Sequence, residues 1–226
     1  QIKVTVSMLI PVSHRLALAA LLGGWVAALV GVRVLATDSI FGLFLAWNLV
    51  LAAVPLLAST TLVRLDARRV PTWVLLAVGA VWLAFLPNAP YILSDLVHLT
   101  HRPPVPFWYD LGMLLSGAGV GLLSGYVSLG DVQSVVARRW GGHLAWAASV
   151  GVLFLSAFGI FLGRELRWNS WDVVTSPGAL ARDVVSHLAH PSTATVVLTL
   201  VFGGMLTLGY VTLWSLAAPT TGPADE

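Results

Sequence analysis

The sequence contains no cysteine and very few charged residues. Of its 226 residues, 10% are charged and 58% are hydrophobic, and the mean hydropathy is +0.87. The missing cysteine excludes disulfides, thiolate metal ligands and a cysteine nucleophile. Soluble domains carry roughly a quarter charged residues, so this composition is typical of an integral membrane protein. The net charge of +2 is too small to indicate nucleic-acid binding.

Several motifs that mark a known chemistry are also missing. The sequence has no G-x-S-x-G elbow, no P-loop and no dinucleotide fingerprint. His98 and His101, with Asp95 and Asp110, contain metal-ligand atoms, but they lack H-E-x-x-H-type spacing. We therefore predict neither a metal site nor a cofactor.

Long apolar runs predict six membrane-spanning helices, since a bilayer core needs about 20 helical residues. The third run is short: 15 residues reach only about 22 Å. Gly117, Gly121 and Gly125 recur every four residues on the fourth run, which predicts close helix packing there. The predicted spans are residues 16–35, 40–62, 72–86, 111–129, 144–162 and 193–216.

The predicted fold class is an all-α, polytopic membrane helix bundle with one transmembrane domain, residues 16–216. Residues 1–15 are expected to be a leader or an expression remnant, and residues 217–226 a disordered tail. Cytoplasmic loops carry an excess of Lys and Arg. We predict cytoplasmic termini, because seven such residues lie on that side and five on the other. The seven are Lys3, Arg15, Arg64, Arg68, Arg69, Arg138 and Arg139, and the five are Arg33, Arg102, Arg164, Arg167 and Arg182.

A short amphipathic helix is predicted before the last span. The Ser-Pro pair at 176–177 forms a good helix start, and Leu180, Val184 and Leu188 make one apolar stripe. Such a helix is expected to lie at the outer membrane interface, either as a plain connector or as a lid. Ser192 is placed to cap the last span.

The third span is interrupted by prolines and followed by polar residues. In "FLPNAPYILSDLVHLTHRPP" the two prolines at 87 and 90 remove backbone donors and kink the helix. The freed carbonyls need partners within the protein, which Asn88 can supply. After the break, polar residues recur with the helical period and form one stripe. The stripe consists of Asn88, Tyr91, Asp95, His98 and Arg102.

Two further polar segments belong to the same side of the membrane. "PFWYDLG" places Asp110 at the start of the fourth span, and "GRELRWNSWD" follows the fifth. The topology brings these segments to one face with the end of the third span, so we predict a polar, extracytoplasmic crevice. Asp95, Asp110, Arg164 and Arg167 are expected to share one hydrogen-bond network.

The candidate catalytic residues are Asp95, His98 and Asp110. Asp95 and His98 are one turn apart and suit an acid–base pair, but they also suit a polar anchor at a helix end, which is the simpler interpretation. Asp110 suits a second carboxylate or a partner for the helix dipole. Arginines here suit an anionic headgroup or internal pairing with acids. The ligand-binding candidates are Asn88, Tyr91, Arg164, Arg167, Trp168, Asn169, Trp171 and Asp172.

The motifs "FLPNAPYILSDLVHL", "WYDLG" and "GRELRWNSWD", in this order, resemble those of the bacterial membrane-protein family known as domain of unknown function 1361. The resemblance covers roughly residues 40–215. It implies a multi-pass protein of the bacterial cytoplasmic membrane and marks the same three segments as characteristic of the family. It supplies no reaction.

Three functions remain open. The crevice can bind or act on a lipid or an anionic headgroup. The protein can instead be a non-catalytic subunit or assembly factor of a larger membrane complex, with the polar cluster as structure. A transporter ranks last, because the sequence shows no second break related by a repeat. An open crevice around Asp95 and His98 favours the first, and complete internal pairing without a cavity favours the second. The bilayer is the expected partner in every case.

Overall fold

The computed structural model describes residues 11–37 and 39–217, and their regular structure is helical throughout. The predictions for residues 1–10 and 218–226 therefore fall outside the described part. A 3₁₀ turn, Asp95–His98, directly follows a short helix that ends at Ser94. The helices are α1 (Val12–Thr37), α2 (Leu43–Ala67), α3 (Thr72–Phe85), α4 (Asn88–Ser94), α5 (Phe107–Trp140), α6 (Gly142–Glu165), α7 (Asp172–Thr175), α8 (Pro177–Ala189) and α9 (Thr193–Leu216).

The described residues contain six helical stretches that are long and apolar enough to cross a membrane. Five of these stretches are single helices. The other one, third in chain order, consists of α3, α4 and the 3₁₀ turn over Thr72–His98. The predicted fold class is confirmed, including the broken third span and the short helix before the last span, and the chain is a multi-pass membrane protein. Large apolar side chains such as Leu21, Leu76 and Leu208 point outward, as expected where lipid replaces water.

Successive spans run in opposite directions, so the connections gather at two ends. α1 begins and α9 ends at one end, which we call the proximal end; the connections after α1, the 3₁₀ turn and α6 lie at the other, distal end. Which end faces the cytoplasm stays a prediction. The described arginines of the proximal end are Arg15, Arg64, Arg68, Arg69, Arg138 and Arg139.

Helix α5 is central and packs against α1, α2, α4 and α6. Its predicted glycine face is confirmed as a contact surface, because a Cβ on Gly121 would lie 2.5 Å from the carbonyl oxygen of Ala89. From the other side, a Cβ on Gly159 of α6 would lie 2.8 Å from the ring of Pro87. Small residues on two helices therefore let the broken part of the third span fit between them.

Two ion pairs attach α1 to α5, one toward each end of the bundle. At the distal end, Arg33 Nε donates to Asp110 Oδ1 at 2.8 Å, and both side chains are buried. At the proximal end, Arg15 Nη1 donates to Asp131 Oδ1 at 2.8 Å. Ser59 of α2 donates to the second oxygen of Asp131 at 3.1 Å. These pairs fix both the direction and the rotation of α1 against α5.

Candidate functional site

The site begins at the proline break in the third span. Because Pro90 carries no N–H, the carbonyl of Leu86 accepts from Ala89 N at 3.1 Å instead. That shift would leave the carbonyl of Phe85 without a donor, and the Asn88 side-chain amide supplies one at 3.0 Å. The predicted role of Asn88 at the break is confirmed. The chain then continues as α4 and the 3₁₀ turn with its backbone still hydrogen-bonded.

A crevice of about 490 Å³ lies at the distal end, between α2, the broken third span and α6, beneath the segment that leads into α8. Its polar part lies at the distal end, and its apolar part runs from there toward the middle of the membrane-spanning region. The polar lining includes Asn48, Asn88, Tyr91, Asp95, His98, Arg164, Trp168, Asn169 and Ser170. The apolar lining includes Leu51, Leu83, Ala84, Leu155, Phe158 and Leu162.

Arg164, at the end of α6, holds the polar part together. Its Nη2 donates to Asp95 Oδ1 at 2.8 Å and also to Ser94 Oγ. Its Nη1 lies 3.1 Å from Nε2 of His98, and since a guanidinium only donates, Nε2 accepts and the ring proton is on Nδ1. The guanidinium also lies over the ring of Tyr91, 4.8 Å from its centroid.

Asp95 is 2% exposed, and both of its carboxylate oxygens are engaged. One accepts from Arg164, and the other accepts from the Asn48 side chain at 2.7 Å. The sequence interpretation missed Asn48, although one signal was available: a lone amide in an otherwise apolar span is costly there and is most often functional. The Asp95 carboxylate therefore holds the side chains of Arg164 and Asn48 in position.

The predicted single network is wrong for two of its four members. Asp110 belongs to the separate buried pair with Arg33, away from the crevice. Arg167 is exposed and makes no hydrogen bond or ion pair with any described residue. Its backbone has φ 61°, which turns the chain out of α6. The predicted meeting of Asp95 and Arg164 is confirmed.

The segment after α6 covers the crevice. Ser170 accepts a hydrogen bond from the Asn88 side chain at 2.7 Å. This hydrogen bond joins the covering segment to the break in the third span. Trp168 Nε1 donates to Asp183 of α8 at 2.9 Å. Leu180 and Val184 of α8 line the crevice. The predicted apolar stripe of α8 therefore faces inward at these two positions.

Two other candidates of this segment stabilise it and do not line the crevice. Trp171 contacts the ring of Trp47 edge-on, with centroids 6.4 Å apart. Asp172 accepts from the backbone N–H of Asn169 at 2.7 Å and from Thr175 Oγ1 at 2.9 Å. The backbone hydrogen bond holds the pKa of the Asp172 carboxyl below its usual range. These contacts shape the turn between α6 and α8.

The crevice brings together part of the predicted set. Of the catalytic candidates it includes Asp95 and His98, and Asp110 lies elsewhere. The ligand-binding candidates that line it are Asn88, Tyr91, Arg164, Trp168 and Asn169; those that do not are Arg167, Trp171 and Asp172. Lining residues absent from the predicted set include Phe44, Trp47 and Asn48 of α2, and Ser170.

This geometry is better suited to binding than to proton transfer. Asp95 and His98 do not bond to each other, because each bonds to Arg164 instead. A general base needs a free lone pair within reach of its proton, but Nε2 of His98 is occupied by Arg164. The arrangement presents N–H, O–H and carbonyl groups to a ligand, and they surround an ion pair whose two charges cancel.

The profile of the family described as "Protein of unknown function (DUF1361)" matches residues 47–208. The chain belongs to this family. No curated protein and no solved structure matches the chain.

The DUF1361 match covers α2 from Trp47 onward and most of α9, and it leaves out α1. Every residue that lines the crevice falls within the match except Phe44. The crevice is thus built from the part of the chain that defines this DUF1361 protein as a family member, whereas α1 with Arg33 and Arg15 is outside that part.

Proposed function

We propose that the crevice binds a lipid-type amphiphile that it takes from the bilayer. The headgroup lies at the polar part, against Tyr91, His98 and Arg164, and the chain lies along the apolar part. The observation that carries this proposal is the change of lining within one cavity of about 490 Å³, a size common for small-molecule sites.

The length and openness of the crevice fit a ligand that is already in the membrane. Both Arg164 and Leu155 line it, and they are nine residues apart on α6, or about 13 Å along the helix. That is close to the hydrocarbon depth of one leaflet, ~15 Å. Leu155 is 48% exposed and Trp47 is 54% exposed, so the apolar part opens sideways to lipid.

A purely structural role for the polar cluster would leave no reason for a cavity beside it. Interiors are normally packed at the density of organic crystals, whereas this crevice stays open along both its polar and its apolar lining. The buried ion pair of Arg33 and Asp110 shows what a structural cluster looks like in this protein: both side chains are at most 2% exposed. The ion pair of Asp95 and Arg164 differs from it, because an open cavity lies beside that pair. This difference supports ligand binding in the crevice.

A matched pair of substitutions on α3 tests the proposal. Ala84 lines the apolar part, whereas Ala80 lies one turn earlier, exposed on the outer surface. Ala84→Phe fills the crevice, and Ala80→Phe adds the same side chain on the lipid-facing side. Native mass spectrometry of protein released from lipid nanodiscs should show one retained lipid in the wild type and in Ala80→Phe, and none in Ala84→Phe. Equal lipid retention in both variants contradicts the proposal.

A further inference from the structure

We infer that the headgroup bound at the polar part is neutral and rich in hydroxyl groups, as in a glycolipid, rather than anionic. This inference rests on the proposed function and names the chemical class of its ligand. It replaces the anionic headgroup that Arg164 and Arg167 left open in the sequence.

The charges of the crevice argue against an anion. Asp95 and Arg164 are its charged lining residues in the described part of the chain, and they form a 2.8 Å ion pair. Nε2 of His98 is occupied by the N–H of Arg164, so that nitrogen offers an anion no hydrogen-bond donor. An anion would enter a site with no net charge and lie near a carboxylate, without a free cation to offset its loss of water.

The unused hydrogen-bonding groups point to hydroxyls. Asn48 and Asn88 bond through Nδ2, which leaves the Oδ1 of each as a free acceptor. The Tyr91 hydroxyl has no partner among the described residues, and Nη1 of Arg164 keeps one unused N–H. Hydroxyl groups both donate and accept, so they satisfy all four groups. A fully ionised phosphate only accepts, and it would leave the two amide oxygens unpaired.

The side walls fit the rest of a sugar ring. Trp47 and Trp168 both line the crevice, and the hydrogen bond from Trp168 Nε1 to Asp183 fixes that indole in place. The face of an indole carries negative potential, so it attracts the weakly positive C–H groups of a sugar. Arg167, the cation that would favour an anion, is outside the lining.

A competition among headgroups tests this inference. Wild-type protein is reconstituted in nanodiscs of equal parts monoglucosyl diacylglycerol, phosphatidylcholine and phosphatidic acid, all with dioleoyl chains, and the retained lipid is identified by native mass spectrometry. The glucosyl lipid should be enriched, by roughly fivefold for each net hydrogen bond that it makes. Tyr91→Phe should lower that enrichment by about fivefold. Tyr109→Phe should leave it unchanged, since that hydroxyl bonds to the backbone of Leu29 outside the crevice.

The possible results separate the two proposals. Enrichment of phosphatidic acid overturns the neutral headgroup and leaves the amphiphile site intact. Retention of all three lipids in bulk proportion, with loss in Ala84→Phe, also overturns it and leaves the site intact. If Ala84→Phe loses no lipid relative to the wild type, both proposals are overturned. A Tyr91→Phe variant that keeps full glucosyl enrichment removes the hydrogen-bond argument and overturns the inference as stated.

Discussion

At the scale of single residues, the polar part of the crevice depends on Arg164. Its guanidinium joins the end of α6 to Ser94, Asp95 and His98 of the third span. Its Nε is buried and has no hydrogen-bond partner within the described chain. An unsatisfied buried donor is rare in native structures and lowers stability, so Arg164 is not fully satisfied by the neighbours that hold it.

Arg164→Gln should destabilise the protein by roughly 2–3 kcal/mol, because it leaves the Asp95 carboxylate buried with Asn48 as its remaining partner. The value is below that for a fully buried pair, since the Arg164 side chain is 21% exposed. Thermal unfolding in detergent measures the change. The control is Arg138→Gln: that side chain is 32% exposed, and its partner Asp66 keeps Arg139. An equal shift in both variants would contradict a special role for Arg164.

A second prediction concerns two buried serines. Trp82 Nε1 donates to Ser128 Oγ at 3.3 Å, and both side chains are buried. Ser128→Ala leaves that indole N–H without a partner and should cost about 1–2 kcal/mol. Ser156 is also buried, but its Oγ has no partner, so Ser156→Ala should be neutral or slightly stabilising. The comparison uses the midpoints of thermal unfolding, and the reverse order would contradict this assignment of the hydrogen bond.

At the scale of helices, the break in the third span lies where that span packs most closely. α4 lies between the small-residue faces of α5 and α6. Phe85 and Leu86 keep their carbonyls bonded through Asn88 and Ala89. This segment then carries Tyr91 and the 3₁₀ turn to the polar end of the crevice.

Gly121→Ala tests this packing. Its new Cβ would meet backbone, the carbonyl oxygen of Ala89 at 2.5 Å, which cannot move aside as a side chain would. We expect a loss of about 1–3 kcal/mol from overpacking, with a lower yield of folded protein. On the same helix, a Cβ on Gly119 meets nothing within 4 Å, so Gly119→Ala should be neutral or stabilise by up to about 1 kcal/mol. Size-exclusion profiles and unfolding midpoints compare the two.

The sequence predicts those parts of the site that depend on local periodicity. Four of the five predicted stripe residues line the crevice: Asn88, Tyr91, Asp95 and His98. The fifth, Arg102, lies after the end of the 3₁₀ turn, where the helical period no longer holds, and it is outside the lining. Pairing between distant helices depends on how each helix is rotated, which one sequence does not contain. Asp110 therefore gave no sign that it faces Arg33, 77 residues away.

At the scale of the whole molecule, polar groups are divided between two tasks. Near the α1–α5 contact, Arg33 with Asp110 and Arg15 with Asp131 are paired and serve the attachment of α1. On the other side of the third span, the crevice surrounds one further pair with space for a ligand. The family match includes the second region and excludes α1. We therefore expect variants of the α1 pairs to leave the crevice unchanged, and variants of the crevice to leave the attachment of α1 unchanged.

The orientation of the bundle is the prediction that places the crevice on the outer side. The proximal end carries six described arginines and the distal end five. Under the positive-inside rule this excess predicts that the proximal end lies in the cytoplasm. Because the chain has no cysteine, single cysteines report position on a clean background: Ala67→Cys is exposed at the proximal end and Ser186→Cys on α8 at the distal end.

With the protein expressed in a bacterial inner membrane, a membrane-impermeant maleimide should label Ser186→Cys in intact spheroplasts and leave Ala67→Cys unlabelled. Inverted vesicles should give the opposite pattern, and the wild type should stay unlabelled in both. Labelling of Ala67→Cys in spheroplasts would place the crevice on the cytoplasmic side. The amphiphile would then come from the inner leaflet, because α8 and the polar part of the crevice share the distal end with the opening that runs down α6.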